Sequence, residues 1–117
     1  MNLAIWSFIG LVSLVILSHI TSLVFHILND QFYSYFHLAA GILAVFLFFS
    51  LTGNFVISIV LTGLLGVLWE VYEWFEWKLI VKKKKFQPQL SDTRNDLMVD
   101  FVGSLVGVVI LVLWFGK

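Results

Sequence analysis

The stretch FVISIVLTGLLGVLWEVYEWFEWKLIVKKKK, Phe55 to Lys85, decides the fold of this chain. It carries no charge from Phe55 to Leu68, stays largely apolar to Val81 and stops on four consecutive lysines. A helix of about 20 apolar residues crosses a bilayer's hydrocarbon core, so this is a membrane span ending in a basic interface. Glu70, Glu73 and Glu76 break its second half. Carboxylates at membrane depth are costly and persist when paired, protonated or bound to a metal. With Lys82 at the interface and about 1.5 Å of rise per residue, Glu76 lies roughly 9 Å inside and Glu70 roughly 18 Å.

The rest of the chain has the same character. Of 117 residues, 61% are hydrophobic and 12% are charged, about half the charged share of a soluble domain. Leu3 to Leu28 is a first apolar run, without the basic segment and small-residue cleavage site of a secretory signal, and reads as a retained span. Asn29, Asp30 and Gln31 mark a turn, a second span covers about 33–51, and Thr52-Gly53-Asn54 is a tight turn by residue type. The third span runs over about 55–81. After the loop containing Pro88, the only proline, a fourth covers about 93–115. The expected fold is all-α: a four-helix transmembrane bundle with short connections, forming one unit over 1–117.

Lys78, Lys82, Lys83, Lys84, Lys85 and Arg94 all border the third connection, against Lys117 alone on the other side. Basic residues beside span ends favour the cytoplasm, so this loop is expected to be cytoplasmic and both termini to face outward, in an inner membrane. Trp6 and Trp114 then mark the outer interface and Trp69, Trp74 and Trp77 the inner one. Net charge is zero and no broad basic face suggests nucleic acid. With no cysteine, thiolate metal sites, disulfides and cysteine nucleophiles are excluded.

Six of the seven acidic residues lie between Trp69 and Asp100. Glu70, Glu73 and Glu76 spread over about 120° of one helix, whereas Asp92, Asp96 and Asp100 drift only about 40° per step on the next. Gly63 and Gly66 on the third span, and Gly103 with Gly107 on the fourth, are expected to let those two backbones approach and set the stripes face to face. Acids packed together require a cation, a base or protons. His19, Ser22 and His26 form a polar stripe on the first span, and His37 enters at the same end of the second.

Each feature has a plainer reading. Asp92 and Asp96 start a helix, where Thr93-x-x-Asp96 fits a capping box; Asp100 is too far in to cap it. Glu76 reads as an interfacial residue paired with a lysine, His19 alone as a packing residue, and the lysine block as a topology determinant. Glu70 has no base on its own helix to neutralise it.

Trp69-Glu70-Val71-Tyr72-Glu73-Trp74, then Asp92-Thr93-Arg94-Asn95-Asp96 and Gly103, with His37-Leu38-Ala39-Ala40-Gly41 upstream, resembles the motifs of YjdF-like inner-membrane proteins, which look similar to VanZ-like proteins. The resemblance covers about the last two-thirds of the chain and implies a small polytopic membrane protein. It implies no particular activity, and Asp100 falls outside what it would predict throughout the family.

Carboxylates and imidazoles without thiols suit Mg, Mn, Zn or Fe. The expected metal ligands are Glu70, Glu73, Asp92, Asp96 and Asp100. His26 and His37 are candidate bases or ligands, and Arg94 with Lys82 to Lys85 a dock for an anionic lipid headgroup. The chemistry expected of such a site is metal-dependent catalysis on a lipid or isoprenoid at the cytoplasmic leaflet. The alternatives are a cation or proton transporter or channel, for which a homo-oligomer could complete the path, and an accessory protein that binds lipid or a partner without catalysis. No nucleophile elbow, phosphate loop, His-Glu-x-x-His helix or Glu-x-x-His pair is present.

Overall fold

The computed structural model describes residues 2–25, 30–81 and 90–115, and every one of its regular elements is helical. Helix α1 spans Asn2–His19 and continues as a π-helical turn over Ile20–Val24. Helix α2 spans Asp30–Thr52, α3 spans Phe55–Glu76 with a π-helical turn over Trp77–Val81, and α4 spans Leu90–Phe115. Four stretches are long and apolar enough to cross a membrane: Leu3–Val24, Tyr33–Thr52, Phe55–Leu79 and Arg94–Trp114. Helices dominate because a chain in hydrocarbon must satisfy its backbone polar groups internally. The molecule extends 49 Å along its axis and 24 by 23 Å across.

Asp30, expected in a turn, is instead the first residue of α2, so this helix begins three residues before its apolar span. Between α2 and α3 the tight turn forms as its residue types predict. Gly53 takes φ 69°, a left-handed conformation that costs glycine little. Asn54 then caps α3, its side-chain oxygen accepting from the Ile57 amide at 3.0 Å.

Helix α2 is the hub. It packs against the other three helices, most extensively against α4, while α3 also packs along α4. The α2–α4 contact depends on Gly41 and Gly103, which cross backbone to backbone. A Cβ on Gly103 would stand 2.6 Å from the Leu38 carbonyl oxygen, and one on Gly41 2.5 Å from that of Asp100. This corrects the expectation for the fourth-span glycines. Gly103 and Gly107 face Gly41, Ile42 and Val45 of α2 rather than α3; Gly66 is the α3 glycine that meets α4, while Gly63 has open space around it. Spacing shows that two glycines share a face, but not which neighbour that face meets.

The interior is small and polar, the exterior large and apolar. Among the described residues the buried set contains Ser7, Ser58, Thr62, Ser104, His37, Glu70 and Asp100, against the apolar Ala44, Val45 and Leu111. Trp6, Phe8, Val56, Leu68, Leu113 and Trp114 lie more than half exposed on the outside. Water would reject such a surface, but lipid tails accept it, and small residues inside let helices pack closely. These spans therefore place their outer faces against membrane lipids.

Candidate functional site

On α3 the buried residues are Ser58, Thr62, Gly66 and Glu70, each four apart, so one face of the helix leads from the tight turn to Glu70. Asp96 and Asp100 are likewise one turn apart on α4, and His37 lies on α2 one turn before Gly41. Because Gly41 and Gly103 draw α2 onto α4, the His37 imidazole is brought between the two aspartates. Its Nε2 lies 3.3 Å from Asp96 Oδ2 and its Nδ1 3.2 Å from Asp100 Oδ1. Gly66 completes the fit from the α3 side, since a Cβ there would stand 2.7 Å from Asp100 Oδ2.

Glu70 reaches the same point from α3. It is 8% exposed, and its charged neighbours are Glu73, Asp96 and His37. One ligand atom each from His37, Glu70 and Asp96 falls within 4.8 Å of the others, so three helices aim an imidazole and two carboxylates at one point. Donors about 2.1 Å from a central ion stand at most about 4.2 Å apart, so small side-chain rotations would bring these to bonding distance. The charges also favour a cation. Glu70, Glu73, Asp96 and Asp100 share the neighbourhood with one imidazole, which leaves an acidic excess that only cations or protons can relieve.

The expected site residues do not all play one part. Glu70 and Asp96 converge with His37. Asp100 lies against the far nitrogen of that imidazole, the position of a residue that orients a ligand. Glu73 neighbours Glu70, but its Oε1 accepts from Trp69 Nε1 at 2.6 Å. Arg94 is exposed on α4. His26 and Lys82 to Lys85 lie outside the described residues, as does the side chain of Asp92.

Glu76 pairs with a histidine, not with a lysine as its interfacial position suggested. His19 Nε2 is 2.7 Å from Glu76 Oε2 and 3.1 Å from the Tyr72 hydroxyl, which itself donates to Glu76. This contact joins α1 to α3 and makes His19 more than a packing residue. The signal was available: α1 and α3 both start at the same end of the bundle, and His19 and Tyr72 lie about the same number of turns along them.

A bundle of four apolar spans, polar inside and apolar outside, with a buried His/Glu/Asp group near one end, defines a polytopic α-helical membrane protein. The chain belongs to the family described as "Predicted membrane protein (DUF2238)", which it matches over residues 2–117. No curated protein and no solved structure matches it.

Proposed function

We propose that this protein is a divalent-metal-dependent enzyme of the inner membrane, acting on a lipid or isoprenoid substrate at the cytoplasmic leaflet. The observation that carries the reading is the convergence of His37, Glu70 and Asp96 from three helices within 4.8 Å. Mixed imidazole and carboxylate donors suit Mn²⁺, Fe²⁺ or Zn²⁺ better than Mg²⁺, which favours oxygen alone. With Asp100 at 3.2 Å from its Nδ1, the His37 imidazole would be oriented to offer Nε2, beside Asp96, to an ion. A bound ion supplies Lewis acidity toward a phosphoryl or carbonyl oxygen, or acidifies a water. Glu73, whose Oε1 accepts from Trp69, would serve as a proton acceptor near such an ion. Arg94 and Lys82 to Lys85 would meet an anionic headgroup at the interface. The motif-level resemblance to YjdF-like proteins supports the inner-membrane placement without contributing an activity.

The test is the metal content of the purified chain, measured with turnover of phospholipid and isoprenyl phosphate substrates. Wild-type protein should hold an ion at this site, and His37→Ala, Glu70→Gln and Asp96→Asn should each lose that ion, whatever metal is bound elsewhere. Glu70→Gln, His37→Ala and Asp96→Asn all matching wild type in metal content and turnover would end the proposal.

One observation favours cation or proton transport instead: Ser58 and Thr62 continue the buried face of Glu70 for about 18 Å toward the tight turn. Their hydroxyls, however, donate to carbonyls of their own helix, at 2.6 Å to Asn54 and 2.8 Å to Ser58. Val45 and Leu111 fill the interior on α2 and α4. Flux into proteoliposomes, with the same acid-to-amide variants, separates the two readings.

A further inference from the structure

The His19 contact lies outside the buried cluster and has a ligand geometry of its own. Nδ1 of His19 donates to the Val15 carbonyl at 2.8 Å, so the ring's remaining valence at Nε2 points away from its own helix. A backbone carbonyl on the far nitrogen is the usual partner of a metal-ligating histidine, because it sets the tautomer and the ring plane. Around Nε2 gather the Glu76 carboxylate at 2.7 Å and the Tyr72 hydroxyl at 3.1 Å, with Tyr72 and Glu76 also in contact. Adjacent ligands of an octahedral ion with bonds of about 2.1 Å stand about 3 Å apart, against 2.5, 2.7 and 3.1 Å among these three groups, so an ion would enter by displacing the Tyr72–Glu76 hydrogen bond and spreading the donors by a few tenths of an ångström.

The surroundings fit an ion as well. Glu73 is a second carboxylate near His19, and Lys78, the closest lysine in sequence, lies over the Trp74 ring at 4.7 Å. The His19 and Glu76 side chains keep 27% and 18% exposure and lie close to where their spans end, at Val24 and Leu79, so an ion and its waters would reach them from that end of the bundle and not through the lipid-facing side. The Trp69 ring stands edge-on to His19 at 6.0 Å and limits the imidazole's rotation. Both helices also leave α geometry immediately after the paired residues, α1 at Ile20 and α3 at Trp77. Single π-helical turns are rare and concentrate at functional sites.

We infer that His19, Glu76 and Tyr72 form a second divalent-cation site, peripheral and half-exposed between α1 and α3, distinct from the buried group at His37. His19 Nε2 and a Glu76 oxygen are the direct ligands, the Tyr72 hydroxyl is the third, and water occupies the remaining positions. The site takes Mn²⁺ or Fe²⁺, whose octahedral preference suits donors spread in this way. It does not depend on the buried site being loaded.

The experiment is a Mn²⁺ titration of the full chain in lipid nanodiscs, followed by electron paramagnetic resonance. Wild-type protein should bind two ions. Glu76→Gln and His19→Gln should each retain only one, and Glu70→Gln should keep the peripheral ion while losing the buried one. In the Glu70→Gln background the remaining Mn²⁺ should show imidazole nitrogen coupling that vanishes in the Glu70→Gln/His19→Gln double variant. Unchanged stoichiometry in both Glu76→Gln and His19→Gln, or a Glu70→Gln chain that binds no Mn²⁺, overturns the peripheral site. One ion lost in Glu70→Gln but kept in Glu76→Gln leaves only the buried site standing; the opposite pattern leaves only the peripheral one.

Discussion

Replacing Gly103 with alanine tests how the fold and the buried cluster depend on each other. The added Cβ would lie 2.6 Å from the Leu38 carbonyl oxygen and 3.2 Å from Gly41 Cα. A carbon and a carbonyl oxygen meet without repulsion at about 3.3 Å, so the backbones must separate by about 0.7 Å. Both obstructing atoms are main chain, so no side-chain rotation relieves the contact and α2 must move as a unit. Overpacking of this kind costs about 1–3 kcal/mol. The same displacement acts on His37, which α2 carries toward α4. Its contacts of 3.2 Å to Asp100 and 3.3 Å to Asp96 would stretch beyond hydrogen-bonding distance. Gly103→Ala should therefore lower thermal stability in detergent and weaken metal binding at the buried site together. Gly63→Ala is the control: its Cβ would meet nothing within 4 Å, so the helix should gain up to about 1 kcal/mol from the better helix former. If Gly103→Ala matched Gly63→Ala in melting temperature and metal content, the close α2–α4 crossing would be refuted.

Further outcomes follow from single contacts. Asp100→Asn keeps the shape but weakens the acceptor at His37 Nδ1, and should reduce metal affinity about 10–100-fold without unfolding the bundle, measured by competition with a chelator. Asn54→Ala removes the cap from the Ile57 amide and should cost about 1 kcal/mol, read as a lower melting temperature with metal content unchanged. Leu111→Ala should destabilise by about 2–5 kcal/mol, because Leu111 is 2% exposed and a smaller residue leaves a cavity between helices. Leu113→Ala, at a position 65% exposed to the lipid side, should change stability by much less in the same assay.

The sequence by itself determined the four spans, their order, the turn at Gly53 and Asn54, and the concentration of acids toward one end. Each of these depends on neighbours within the chain: apolar run length, backbone freedom at one residue, and rise per helical residue. It also singled out Glu70, since a carboxylate so far into an apolar span has no base on its own helix to neutralise it, and the structure buries that side chain. Tertiary structure decided which groups meet. Periodicity places Asp96 and Asp100 on one face of α4, but the rotation of that face toward α2, set by the Gly41–Gly103 crossing, is what gives His37 both aspartates and leaves Glu70 to close the group from α3. It likewise gave Glu76 to His19 instead of a lysine, because α1 and α3 run in the same direction and bring those levels together. A helix's own geometry sets what shares a face; only packing between helices sets what that face confronts, and both candidate cation sites are built across such contacts.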